Sequence, residues 1–292
     1  MLFRSVYSSI SGYGADGPWV HRRAYAPVVG VESGFTRMQG DARGGHYAND
    51  PWSHADTYTA LETTVAILAA LHRLERTGRG ERIDVSMAET MLYVNEHAHD
   101  ELYDGPVDPA WIRSFQPGDY PMLAVADGTQ VLISGHPAER GTFELVIDAM
   151  DRTDLADDPR FVDVPARRRH FDELLDLMRA WAARFPDART FEERCSRSGL
   201  AVGEMRTVRE LADSDWADAR GAIARIPDRD GGTLRIPNPP WHFSGATVGP
   251  RGTGRYRGED NRAVLGEILG LDAATLDDLE ARGILTSRVP KG

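Results

Sequence analysis

Disulfides and cysteine-built zinc sites are both excluded, because this chain of 292 residues holds one cysteine, Cys195. It also lacks the run of about 18 apolar residues needed to cross a bilayer, and the opening "MLFRSVYSS" has no signal-peptide apolar segment. Positive charge is in deficit: 34 Lys and Arg stand against 45 Asp and Glu, a net charge of −11, which argues against a nucleic-acid surface spread over the chain. Nor is there an H-E-x-x-H, G-x-S-x-G or Walker A segment, an internal repeat or a low-complexity block. These absences lead to the expectation of a cytoplasmic globular protein with no nucleic-acid or membrane partner. The 41% apolar content is enough for the core of one large or two ordinary domains.

The stretch "SGYGADGPW", residues 11–19, follows an apolar run and formally contains G-x-G-x-x-G. A dinucleotide fingerprint needs a helix opening at its last glycine, so that backbone amides face a pyrophosphate. Residues 18–27 instead begin and end in proline and carry no apolar stripe. Glu32 falls short of the acidic position that would hold a ribose. The stretch therefore reads as a glycine-rich turn.

Residues 3–10 read as a strand. Over 57–76, Tyr58, Leu61, Val65, Leu68 and Leu71 or His72 fall at helical spacing, and Thr77-Gly78 stops them. "ERIDVSM" (81–87) alternates as a strand, and a helix is expected from about Ala88 to Tyr103. From Pro117 the pattern changes to two β runs around Asp127-Gly128, with helices expected near 138–149, 166–184 and 190–198. Residues 207–220 read as helix, 222–237 as a hairpin turning at Asp230-Gly231-Gly232, and 260–283 as two helices split by Gly270.

Asp56 stands at the start of the best helix. As a structural residue it caps that helix, alone or by answering Ser53 in an S-x-x-D box. The same geometry suits chemistry, since a carboxylate facing helix amides is favoured in its ionised form and available as an oxygen nucleophile. His97-Ala98-His99-Asp100-Glu101 has metal-ligand composition, but residues two apart point to different faces of a helix, so a solvated face is expected. Arg167-Arg168-Arg169-His170 reads as the exposed side of an amphipathic helix.

Three stretches taken together, "YSSISGYGADGPW", "HADTYTALETTVAILAALHRLERTGRGERIDVSMAE" and "YPMLAVADGTQVLISG…LADDPRF", resemble the class III CoA-transferase family of the CaiB/BaiF type. That family includes formyl-CoA transferases and α-methylacyl-CoA racemases. "GEILGLDAATLDDLEARGIL" resembles the family's ending. The resemblance implies that Asp56 is the catalytic nucleophile, passing through acyl-aspartyl and aspartyl-CoA intermediates. It implies a substrate-contacting role for Tyr25, a CoA-phosphate contact for Arg23, and a remnant of the family's active-site glycine loop at Gln116 and Gly118. No permanently bound cofactor or metal is expected, and coenzyme A enters as cosubstrate with an acyl-CoA donor and a carboxylic acid acceptor. The racemase branch carries a histidine acid/base where this chain has Tyr25; a phenol, titrating near about 10, is a poor proton shuttle at neutral pH, so transfer is favoured over racemisation or epimerisation.

Family members begin with a nucleotide-fold half of on the order of 100 residues, which does not precede Met1 here. The resulting fold expectation is α/β. Residues 1–116 form a remnant of a nucleotide-fold-like large domain with the catalytic helix, 117–205 a smaller α+β domain, and 206–292 a return to the large domain with C-terminal helices. The assembly expected is an interlocked homodimer or a heteromer with a chain supplying the N-terminal half. The third functional reading is a non-catalytic or half-site subunit that needs such a partner.

Overall fold

The computed structural model describes residues 4–96, 98, 102, 104–105 and 120–289. The chain forms two compact units, one running to Glu204 and the other starting at Met205.

The first unit opens with strand β1 (Val6–Ser11), followed by helices α1 (Ala26–Glu32), α2 (Phe35–Ala42) and α3 (His54–Thr77), strand β2 (Glu81–Ser86) and helix α4 (Met87–Tyr93). β1 and β2 pair in parallel, from Val6 opposite Glu81 to Ser11 opposite Ser86. Parallel neighbours need a crossover, which α1, α2 and α3 supply. The glycine-rich turn leaves β1 directly: the Gly14 N–H donates to the Ser11 hydroxyl at 2.9 Å and the Ala15 N–H to Asp84 Oδ2 at 2.8 Å. No helix opens at Gly17, so the nucleotide-fingerprint geometry is absent. α3 stops at Gly78, whose φ of 68° is the left-handed conformation that glycine adopts without steric cost. Ser86 ends β2 and caps α4 reciprocally with Glu89. α4 ends at Tyr93, short of the expected 103, with Val94 as its C-cap.

The sequence periodicity of α3 is real, but its apolar stripe faces outward. Leu61, Val65 and Leu68 are 52, 60 and 61% exposed, while the buried side is Ala55, Thr59, Thr63 and Ala70. Small residues let α3 lie close on its own unit, and Thr59 satisfies its hydroxyl on the Ala55 carbonyl at 2.6 Å.

Strands β3 (Met122–Ala124), β4 (Gln130–Ile133) and β5 (Val202–Glu204) form an antiparallel sheet in that order. Helices α5 (Thr142–Ala149), α6 (Val164–Arg169), α7 (Phe171–Ala182) and α8 (Ala188–Arg197) accompany it. Leu123, Val131, Ile133, Phe143, Phe161, Leu174, Met178 and Phe191 build the largest core here, with Cys195 inside it. The expected helix at 166–184 is two helices broken at His170. The arginine run departs from the solvated face expected of it. Arg167 is buried, donating to the Ala138 carbonyl at 2.7 Å and the Phe161 carbonyl at 3.1 Å, with its guanidinium 4.3 Å from the Phe143 ring centre. Arg168 pairs with Glu139, and only Arg169 is fully exposed.

The second unit contains α9 (Val208–Ala212), α10 (Asp215–Arg220), the hairpin β6 (Ile223–Pro227) and β7 (Thr233–Pro237), α11 (Asn261–Leu269) and α12 (Ala273–Ala281). Residues 207–220 make two helices because Ser214 caps a new one, accepting from the Ala217 N–H at 3.2 Å. The hairpin turns where Asp230-Gly231-Gly232 placed it, and Gly270 (φ 65°) separates α11 from α12. Among the described residues no helix is long and apolar enough to cross a membrane, and no group of three or more potential ligands is placed to hold a metal.

Candidate active site

α3 begins at His54, placing Asp56 third in a helix of 24 residues, where unpaired amides concentrate positive potential. Asp56 is exposed. The capping interpretation is not realised: Ser53 is the N-cap residue, yet no side-chain cap bond forms. Asp56 makes no hydrogen bond or ion pair among the described residues. The other acids at the third position of described helices behave differently. Glu89 accepts from the Ser86 hydroxyl at 2.6 Å, Glu144 from the Gly141 N–H at 2.5 Å, and Glu210 from the Thr207 N–H at 2.6 Å. Glu173 meets the ring nitrogen of its N-cap residue His170 at 2.7 Å. Asp56 is thus the exception, a carboxylate left unspent where its equivalents serve as caps.

Beneath it, Ala55 belongs to a small buried cluster with Ala26, Val29, Met87 and Met91. Tyr25 is the N-cap residue of α1, 70% exposed, directly before Ala26. Ala26 and Ala55 line one narrow crevice, so the fold brings the starts of α1 and α3 together; Tyr25 and Asp56 are the exposed chain neighbours of these two alanines and are not themselves part of the crevice lining. Arg23 is exposed, next to Ala24, which packs on the same cluster. Gly12 fixes this approach, since a Cβ there would lie 2.2 Å from Ala24 Cβ. Gln116 and Gly118 lie outside the described residues, as do His97, His99, Asp100 and Glu101.

Several neighbours were not singled out from sequence. His54 is the first residue of α3 and sits among Phe35, Trp52 and Tyr58, with ring centres 5.1, 5.8 and 5.5 Å away. Its Nδ1 stands 3.5 Å from Asp50 Oδ2. Asp50 accepts from the Trp52 N–H at 2.7 Å and the Gln39 side-chain amide at 3.0 Å, and these donors, the backbone one foremost, hold its carboxyl below the usual range. Glu32, the last residue of α1, accepts from the Tyr13 hydroxyl of the glycine-rich turn and pairs with Arg22, whose guanidinium lies 4.5 Å from the Trp19 ring centre. Partial burial, then the bond to Glu32, push the Tyr13 phenol up. The i, i+4 spacing of Asp50 and His54 across a helix start was the available signal for the first of these groups.

Beside the crevice lies an open groove of about 560 Å³ lined by Val31, Thr36, Arg37, Tyr47, Ala48 and Asn49. Thr36 and Asn49 belong to both, so groove and crevice share a wall.

The sequence profile of CoA-transferase family III matches residues 4–261, and the chain belongs to that family. Among its relatives, the succinyl-CoA–D-citramalate CoA-transferase of Chloroflexus aurantiacus is 27% identical over 94% of this chain and 68% of its own. The beta subunit of the succinyl-CoA–L-malate CoA-transferase of the same organism is 26% identical over 97% of this chain and 70% of its own. The formyl-CoA:oxalate CoA-transferase of Streptomyces avermitilis is 25% identical, covering 97% of this chain and 72% of the relative. In fold the chain resembles a CaiB/BaiF family protein from Brucella suis, with a TM-score of 0.68 at 24% identity over 91% of this chain and 68% of that one.

Proposed function

We propose that the chain moves coenzyme A between carboxylic acids with Asp56 as the covalent nucleophile. The Asp56 carboxylate attacks the thioester carbonyl of an acyl-CoA and expels the CoA thiolate, leaving an acyl-aspartyl anhydride. The thiolate then attacks the aspartyl carbonyl, releasing the donor acid and forming an aspartyl-CoA thioester. An acceptor carboxylate displaces the thiolate to give a second anhydride, and thiolate attack on the acceptor carbonyl returns Asp56 free. Each exchange conserves the activation of the acyl group, so no external energy source is needed. Water must be excluded while either intermediate stands.

The observation that carries this reading is the unspent carboxylate of Asp56 at the start of α3. Tyr25, Arg23, Gln116 and Gly118 are proposed as substrate contacts, with Arg23 offering a guanidinium suited to phosphate. Asp56→Ala should lower acyl exchange by on the order of 10³-fold or more, and hydroxylamine added during turnover should convert residue 56 to a hydroxamate only in the unaltered protein. Undiminished exchange by the alanine variant removes the proposal.

A second reading concerns assembly. The outward stripe of Leu61, Val65 and Leu68 supports a second chain, a like copy or a companion subunit, covering α3. In that form the protein acts as one part of a larger site. The single buried thiol, Cys195, fits a reducing, cytoplasmic setting.

A further inference from the structure

We propose that the groove beside the crevice is the specificity pocket for the remote end of the acid, and that Arg37 selects substrates carrying a second carboxylate. The inference rests on the CoA-transfer reading for the near end of the substrate, while the pocket itself is read from its own walls. Val31 and Ala48 offer apolar surface for methylene groups, and Tyr47 and Asn49 offer polar edges. Arg37 supplies the only full positive charge among the lining residues, on a side chain 80% exposed.

That charge is not already used. Arg37 makes no hydrogen bond among the described residues, and its one ion pair, with Asp41, is 3.6 Å long, beyond hydrogen-bond reach. Asp41 is engaged elsewhere, accepting from the Tyr47 hydroxyl. Asp50, which lines the adjoining crevice, is held by the Trp52 N–H and Gln39 and has no ion pair with Arg37. A planar fork with free donors matches a carboxylate in bidentate fashion, and no uncharged group replaces it. Because Thr36 and Asn49 line both the groove and the crevice, and His54 and Ala55 line the crevice at the start of α3, an acid along this wall runs between the first turn of α3 and Arg37.

Succinate and butyrate are near-isosteres that differ in the second carboxylate, and titration calorimetry of the full chain with each tests the pocket without turnover. The unaltered protein should bind succinate about tenfold or more tightly than butyrate. Arg37→Met should abolish that preference while leaving butyrate within about twofold, and Arg37→Lys should restore part of it. Since Arg37 is exposed, the variants' melting curves should overlay the parent's. No preference in the parent, or a preference that survives in R37M, overturns the inference. Used as acceptors in an exchange assay, the same acids separate the two proposals. Exchange that depends on Asp56 but is indifferent to R37M sinks the pocket alone. Arg37-dependent succinate binding without exchange sinks the transferase reading alone.

Discussion

At the scale of single residues, the contrast between Asp56 and the acids that cap other helices carries a stability prediction as well as a chemical one. Glu210 is bonded to Thr207 through both hydroxyl and backbone, so Glu210→Ala should lower the melting temperature, whereas Asp56→Ala should leave it within about 2 °C. Loss of activity at unchanged stability is the signature of a residue kept for chemistry. Arg167 should behave in the opposite way. Arg167→Met leaves the Ala138 and Phe161 carbonyls buried without their donor, at a cost of about 2–4 kcal/mol by urea denaturation, with no direct effect on exchange chemistry. Cys195 gives a pH test. Burial pushes its thiol from 9.0 up to about 12, so the unfolded thiol ionises first. Its contribution is whole below pH 9 and is lost as pH rises from there to about 12, and a thiol reagent at pH 8 should label the protein only as it unfolds.

At the scale of elements, Gly12 is the position where the turn after β1 and the segment before α1 meet. Gly12→Ala places a methyl group against Ala24, where only backbone movement relieves the clash. The expected outcome is a loss of about 1–3 kcal/mol in urea denaturation together with reduced exchange, since Tyr25 follows Ala24 directly. Elements that announce themselves with local chemistry were legible in the sequence. The end of α3 at Gly78, the β3–β4 turn at Asp127-Gly128 and the separation of α11 from α12 at Gly270 all rest on glycines with positive φ. The position of Asp56 in the first turn of a helix was legible too, since the helical spacing after Thr57 places the start there. What periodicity does not encode is the identity of the surface that meets an apolar face, and so the spacing along α3 gave the helix but not that the folded chain leaves its stripe open. Arg167 was misread for a related reason: the groups that bury it, Ala138, Phe143 and Phe161, come from other parts of the chain. The groove around Arg37 was invisible because residues 47–49 must return onto α2 before it exists.

At the scale of the whole molecule, the exposed stripe on α3 predicts association. Val65→Asp and Leu68→Asp together should leave the chain's own fold intact, as both side chains are exposed, yet shift sedimentation toward smaller species and weaken exchange. Equal sedimentation and equal exchange in the double variant would show that no partner uses this face. The pairing of β1 with β2 has a consequence of its own. Ser11 lies opposite Ser86, with three helices threaded between the two strands, so the first strand cannot find its neighbour by a tight local turn. During synthesis on the ribosome it must wait several seconds for β2 to emerge. For that interval the hydrogen-bonding edge of β1 stands open, and because Tyr7 and Ile10 remain exposed even after β2 has paired, this strand keeps apolar surface that a chaperone or a second chain can hold.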